Sequence, residues 1–170
     1  MKTAIVILNY NGKDLLARYL PSMLQYSSDA EVWVVDNASN DASYAYIKNN
    51  FPTVKLIQLE ENLGYSGGYN ASLEKIDADL ICFVNNDVGV EREWIPHIQQ
   101  HFAQHPEVGI VQPKILSDVH KGYFDYACLY LSSWLTNTRP TKWVRSQPWV
   151  MTMIVTRTFL GWPTAIISLA

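Results

Sequence analysis

The sequence predicts an α/β protein built on a doubly wound, mostly parallel sheet. Two observations carry that prediction. Short runs rich in Val and Ile recur at residues 4–8, 32–35, 54–59, 80–84 and 108–111, with little polar alternation. Strands covered by helices on both faces read this way. Between the runs lie segments whose apolar residues repeat with helical period. The order β-α-β-α-β-α-β-α-β then implies a Rossmann-like sheet joined by right-handed crossovers.

Each helical segment has its own stripe. Leu15, Leu16, Tyr19, Leu20, Met23 and Leu24 form the first, in which Pro21 is expected to kink or split the helix. Tyr44, Ile47 and Phe51 form the second, ended by Pro52. The third holds Tyr69, Leu73 and Ile76. The fourth holds Trp94, Ile95, Ile98 and Phe102 and stops before Pro106. The chain shows no internal repeat and no low-complexity linker.

Composition narrows the function classes. At 170 residues, 48% hydrophobic and 17% charged, the chain can bury a real core and is not of disordered type. A net charge of −3 supplies no overall basic surface for nucleic acid. The charge is uneven, because no acidic residue follows Asp125 while Arg139, Lys142, Arg145 and Arg157 do. Cys82 and Cys128 make no disulfide framework, and Cys82 in its apolar run reads as a buried thiol of a reducing compartment. No signal peptide is read at the start, so a cytoplasmic location is expected.

In open α/β sheets, ligands bind beyond the carboxyl ends of the strands. Asn9-Tyr10-Asn11-Gly12 follows the first strand, and Asp36-Asn37-Ala38-Ser39-Asn40-Asp41 the second. The third is followed by residues 60–70, which include Asn62, Gly64, Gly67, Gly68 and Asn70, and the fourth by Asn85-Asn86-Asp87. One such loop could be turn and cap chemistry alone, but four in succession on one edge point to a ligand site. The first loop lacks the glycine pattern of a dinucleotide site and that of a P-loop. Tyr10 offers a flat face for a base. Asp36 can accept from a base N–H or a ribose hydroxyl, or can simply cap a helix. Gly67-Gly68 precedes or opens the third helix, where backbone N–H groups favour an anion. Asp87 is placed to hold a hard divalent cation, or to make an ordinary Asx turn.

Together, Ile-Val-Ile-Leu-Asn-Tyr-Asn-Gly, Val-Val-Asp-Asn-Ala-Ser-Asn-Asp, Asn-Leu-Gly-Tyr-Ser-Gly-Gly-Tyr-Asn and Phe-Val-Asn-Asn-Asp-Val resemble the family 2 glycosyltransferases of GT-A fold. Among them, the bacterial rhamnosyltransferase-like enzymes look most similar. The resemblance implies transfer of a sugar from a nucleoside-diphosphate sugar to an acceptor hydroxyl, usually with inversion. By position, Tyr10 and Asp36, with the backbone around Leu8 and Asn9, would contact the base. Asn62, Gly67, Gly68 and Asn70 would line the ribose and phosphate side. Asn85-Asn86-Asp87 takes the place of the family's Asp-x-Asp element. Asp87 matches the carboxylate for Mg²⁺ or Mn²⁺, and Asn85 replaces the first Asp. The implied partners are the nucleotide sugar and a glycan or lipid-linked acceptor in bacterial cell-surface glycan synthesis. Peripheral attachment to the inner face of the membrane and a homodimer stay open.

The resemblance covers a nucleotide-sugar-binding domain over residues 1–127 and leaves residues 128–170 as an atypical tail. The family continues with an acidic pair containing the catalytic base, and the tail has no Asp or Glu to supply one. Trp134, Trp143, Trp149 and Trp162 crowd it without clear period. A shifted reading frame or a decayed gene, with the acceptor half missing, is the expectation that composition raises. A membrane-spanning tail over residues 149–170 is disfavoured by Arg157 and Pro163. His97, His101 and His105 are spaced for one helix face and read as a solvated side, not a metal site. Tyr123, Phe124 and Tyr126 read as core or acceptor-edge aromatics.

Three functional readings follow. One is a metal-dependent inverting glycosyltransferase. Another is a non-catalytic nucleotide-sugar-binding remnant without its base. A nucleotidyltransferase is disfavoured, because its first loop would be basic and glycine-rich.

Overall fold

The computed structural model describes residues 1–111, 113, 115–117, 124–126, 130–131 and 153–156. The first half follows the expected alternation: β1 (Thr3–Asn9), α1 (Lys13–Gln25), β2 (Glu31–Asp36), α2 (Ser43–Asn50), β3 (Lys55–Gln58), α3 (Gly64–Leu73), β4 (Leu80–Asn85) and α4 (Trp94–Gln104). Short strands follow: β5 (Ile110–Val111), β6 (Ile115–Leu116), β7 (Phe124–Tyr126), β8 (Tyr130–Leu131) and β9 (Met153–Thr156).

The main sheet runs β3-β2-β1-β4-β9-β5-β8. β1 pairs in parallel with β2 on one side and with β4 on the other, and β2 pairs in parallel with β3. Strand order therefore reverses between β1 and β4, which opens a crevice at their carboxyl ends. Alternate side chains feed two cores. Ile5, Ile7, Val32, Val34, Leu80, Cys82 and Val84 face α1, α2 and α4, whose Leu16, Leu20, Met23, Ile47, Ile95, Ile98 and Phe102 are buried against them. On the other face, Ala4, Val6, Val35, Ile57, Ile81 and Phe83 pack with Tyr69 and Leu73 of α3 and with Ile76 and Ala78 beyond it. Burial of this kind contributes roughly 1.5–3 kcal/mol per large aliphatic side chain. Cys82 lies wholly within the first core, and burial pushes its thiol far above the ordinary range, so it is inert.

The structure departs from sequence expectation in three places. First, α1 continues through Pro21 instead of splitting there. Proline forfeits one backbone hydrogen bond and crowds the preceding turn, at a cost of about 3 kcal/mol. Leu20 and Met23, each 1% exposed, bury flanking surface that offsets it. Second, the neighbour of β4 on its far side is β9, a strand the apolar runs did not include. β9 lies between β4 and β5 and is antiparallel to both, so the sheet is parallel through β4 and its pairings beyond β4 are antiparallel. A periodic apolar run identifies a strand but carries no record of its neighbour. Third, α3 opens at Gly64, so Gly67 and Gly68 fall inside the helix and do not precede it.

β8 and β9 lie within the segment 128–170, so six described residues of that segment belong to the main sheet. The tail tryptophans, Cys128, Tyr123 and the shifted-frame reading otherwise fall outside the described residues. No helix among the described residues is long and apolar enough to cross a membrane.

Candidate functional site

The four polar loops meet at the β1/β4 crevice. Register alone brings two pairs together, since Asn9 stands opposite Asp36 and Leu8 opposite Asn85. Hydrogen bonds then tie the loops to one another. Asn9 is fully buried, and its side chain is the hub. Its Nδ2 donates to Asp36 Oδ1 and to Ser39 Oγ, both at 3.3 Å. Its Oδ1 accepts from Asn86 Nδ2 at 2.9 Å. One side chain thus links the loops that follow β1, β2 and β4.

Asn37 is the second hub. Its backbone N–H donates to the Asn9 carbonyl at 2.8 Å. Its Nδ2 donates to Asn62 Oδ1 at 2.8 Å and to the Gly64 carbonyl at 3.1 Å, while its Oδ1 accepts from the Leu63 N–H at 3.0 Å. Asn62 Oδ1 also accepts from the Gly64 N–H at 2.9 Å. These contacts start α3 early, because side-chain oxygens satisfy N–H groups that would otherwise be orphaned at a helix start. Gly64 makes the turn at φ +70°, where a side chain would strain the backbone.

Burial sorts the expected site residues. Tyr10, Asn62, Asn70 and Asp87 are exposed, and Leu8, Gly67 and Asn85 are half-buried. Tyr10 is 48% exposed. Asp36 has no exposed surface; its Oδ1 accepts from Asn9 and its Oδ2 from the Ser39 N–H at 3.2 Å. Both oxygens are therefore turned inward to hold the loop. Asn70 is the seventh residue of α3, about 9 Å of helical rise from Gly64, and no hydrogen bond among those described joins it to the network.

Gly68 has a packing reason to be glycine. A Cβ there would stand 2.6 Å from Leu8 Cδ1, so its absence lets α3 lie directly on β1. Gly12 is a site residue that the sequence left unassigned. A Cβ on it would strike Asn86 Nδ2 and lie 2.5 Å from Asn9 Oδ1. Its position between a polar loop and a helix start was the signal available. Tyr65 was also missed. Its hydroxyl donates to Asn85 Oδ1 at 3.0 Å. The i, i+4 spacing of Tyr65 and Tyr69 marks them as neighbours on one helix face. The Tyr69 hydroxyl donates to the Val84 carbonyl at 3.0 Å, and burial raises that phenol well above its ordinary pKa.

The second loop is strained and braced. Ala38 sits at φ +59°, a region that costs an L-residue roughly 1–2 kcal/mol. Asn11 takes φ 51°, and its Oδ1 accepts from the Asn40 and Asp41 N–H groups at 2.9 and 3.3 Å. Asp41 in turn accepts from the Lys13 N–H at 3.1 Å and from the Ser43 N–H at 2.9 Å, and it also bonds the Ser43 hydroxyl.

For a cation, the available donors are hard oxygens. Asp87 lies two residues past β4 on a loop pinned by the Asn86–Asn9 bond. Among the described residues, no cluster of three or more His, Cys, Asp or Glu could hold a metal ion. A single carboxylate fits Mg²⁺ or Mn²⁺ when phosphate and water complete the shell. His97 and His101 lie in α4, and His105, just past its end, pairs with Glu107 at 3.4 Å.

A sequence model of glycosyl transferase family 2 matches residues 4–157. The chain belongs to glycosyl transferase family 2. Comparison with curated proteins finds no match. Solved structures similar to this family 2 chain include a mannosyltransferase from Pyrobaculum calidifontis in complex with GDP-Man and Mn²⁺. That structure has a TM-score of 0.59 and 20% identity, over 64% of this chain and 34% of the other. S. aureus TarS 1-349 in complex with UDP-GlcNAc gives a TM-score of 0.63 at 22% identity, over 72% of this chain and 37% of the other. At that identity the likeness shows the fold, which is the expected GT-A type. The chain spans little more than a third of those proteins.

Proposed function

We propose that this chain forms the donor-binding half of a glycosyltransferase that moves a sugar from a nucleoside-diphosphate sugar to an acceptor hydroxyl. The observation that carries the reading is the hydrogen-bonded union of four polar loops at the β1/β4 switch point, centred on Asn9 and Asn37. In this reading Tyr10 stacks on the base. Asn9 and Asp36 hold the base loop from beneath. Asn62 and the first turn of α3 face the ribose and phosphates, where helix N–H groups favour negative charge. Asp87 holds Mg²⁺ or Mn²⁺, which would neutralise charge on the leaving diphosphate. The neighbour with GDP-Man and Mn²⁺ supports a divalent ion, and the one with UDP-GlcNAc supports a nucleotide sugar as donor.

Inversion at the sugar carbon needs a carboxylate to take the acceptor's proton. Transfer with inversion, a rhamnosyltransferase-like subgroup and a role in bacterial surface glycans rest on the motif resemblance. A glycan or lipid-linked acceptor, work at the inner face of the membrane and pairing of two copies are part of the same proposal. A second reading is a nucleotide-sugar-binding remnant; residues 126–170 carry no Asp or Glu. One assay separates them. The full chain is incubated with UDP- and GDP-sugars and Mn²⁺, and release of nucleoside diphosphate is followed. Release supports the transferase. Binding without release supports the remnant, and neither binding nor release contradicts both.

A further inference from the structure

We infer that Trp94 is a positioning residue: its bond to Ser27 keeps the segment that leads away from Asp87 on its course along α1, and through it keeps Asp87 in place. The inference rests on the reading of Asp87 as the carboxylate for the cation. Residues 86–93 join β4 to α4 and follow one face of α1. Asn86 lies against Gly12, where that helix starts. A Cβ on Gly89 would come 3.8 Å from Tyr19 Cδ1. The Arg92 guanidinium lies 5.8 Å from the centre of the Tyr26 ring. Gly12, Tyr19 and Tyr26 are spaced by seven, which puts them on one stripe of a helix. Between these contacts Val88 and Val90 are half-buried against the first core.

The segment needs a latch because its far end is strained. Glu93, the N-cap of α4, takes φ +61°, a left-handed conformation that L side chains rarely adopt. Such strain persists only where the surroundings over-determine it. The next residue supplies the hold. Trp94 packs on the first core, and its Nε1–H donates to Ser27 Oγ at 2.9 Å. Ser27 is buried just past the end of α1. Its hydroxyl proton is directed to Met23 Sδ at 3.9 Å, which leaves an oxygen lone pair for the indole. Once that bond is lost, Glu93 is free to relax to an ordinary conformation, and the chain from Val88 to Arg92 loosens with it.

Two variants of the full chain break the latch from opposite sides. Trp94→Phe keeps an aromatic ring and removes the N–H, and Ser27→Ala removes the acceptor. Amide hydrogen exchange over residues 87–92 reads the segment. Calorimetry with UDP and GDP, with and without Mn²⁺, reads Asp87. Each variant should exchange about three- to tenfold faster over 87–92, as loss of one neutral hydrogen bond allows. Each should lose about the same factor from the tightening by Mn²⁺, with metal-free affinity unchanged. Combining the two should add nothing. Glu93→Gly holds a left-handed turn without strain, so in the Trp94→Phe background it should restore both readouts. Lost core packing would not be restored in this way. The inference is overturned if exchange over 87–92 does not change, if the Mn²⁺ factor stays intact while exchange rises, or if Glu93→Gly restores neither readout. If the unaltered chain shows no tightening by Mn²⁺, the reading of Asp87 fails, while exchange still decides whether Trp94 holds the segment.

Discussion

Asn86 donates to Asn9 across 2.9 Å, and Gly12 lies against that bond so closely that a methyl group would occupy the same space. The loops that follow β4 and β1 are thus joined through a buried side chain, and the start of α1 rests on the junction. A buried amide that loses its partner costs about 1–3 kcal/mol, so the junction is costly to disturb.

Gly12→Ala should therefore act on the site and on the fold together. The added Cβ must displace Asn86 or Asn9, and we expect a stability loss of about 1–3 kcal/mol with nucleotide binding weakened roughly tenfold or more. Gly89→Ala is the matched control, since its Cβ would meet Tyr19 Cδ1 at an ordinary 3.8 Å. Urea unfolding and calorimetry on both variants check this. Equal, small effects would show that the contact at Gly12 can be relieved.

Ala38 is expected to respond in the opposite sense. Its φ of +59° is strained for alanine and easy for glycine. Ala38→Gly should raise stability by roughly 0.5–1 kcal/mol, the strain relieved less the entropy glycine adds to the unfolded chain. A lower melting temperature would mean that the alanine side chain has packing value exceeding its backbone strain.

Asp41 gives a pH signature. Burial alone would raise its pKa, but hydrogen bonds from Ser43 and the Lys13 N–H outweigh it and hold the carboxyl below its ordinary value. A folded-state pKa below the unfolded one means stability that is present above the unfolded value and lost as pH falls through the folded one. The stability difference between the parent and Asp41→Asn should be largest at about pH 7 and shrink below about pH 4. A difference that stays constant through acid would remove Asp41 as the clamp between α1 and α2.

Much of this was legible in the chain before any coordinates. Strands β1, β2 and β4 are buried on both faces, so their Val and Ile runs stand out, and the Asn- and Asp-rich loops after them reveal the rim. The parts that were not legible depend on partners distant in sequence. Asn9 and Asn86 are 77 residues apart, and nothing local marks Asn9 as buried or Gly12 as their neighbour. Asp36 reads as a ligand contact by position, but no local pattern shows that its carboxylate also accepts from Asn9 and from the Ser39 N–H. The early start of α3 at Gly64 comes from Asn37 and Asn62, whose capping role no helical period encodes. β9 carries a strand-like Met-Ile-Val-Thr, but its place between β4 and β5 is a property of the sheet alone.

The most direct test of the central claim is titration of the full chain with UDP and GDP, with and without Mn²⁺, beside an Asp87→Ala variant. The account predicts that one nucleotide binds, that Mn²⁺ tightens it, and that Asp87→Ala removes the tightening while leaving the metal-free affinity close to the parent's. Binding of neither nucleotide, or an Mn²⁺ effect that survives Asp87→Ala intact, would contradict it.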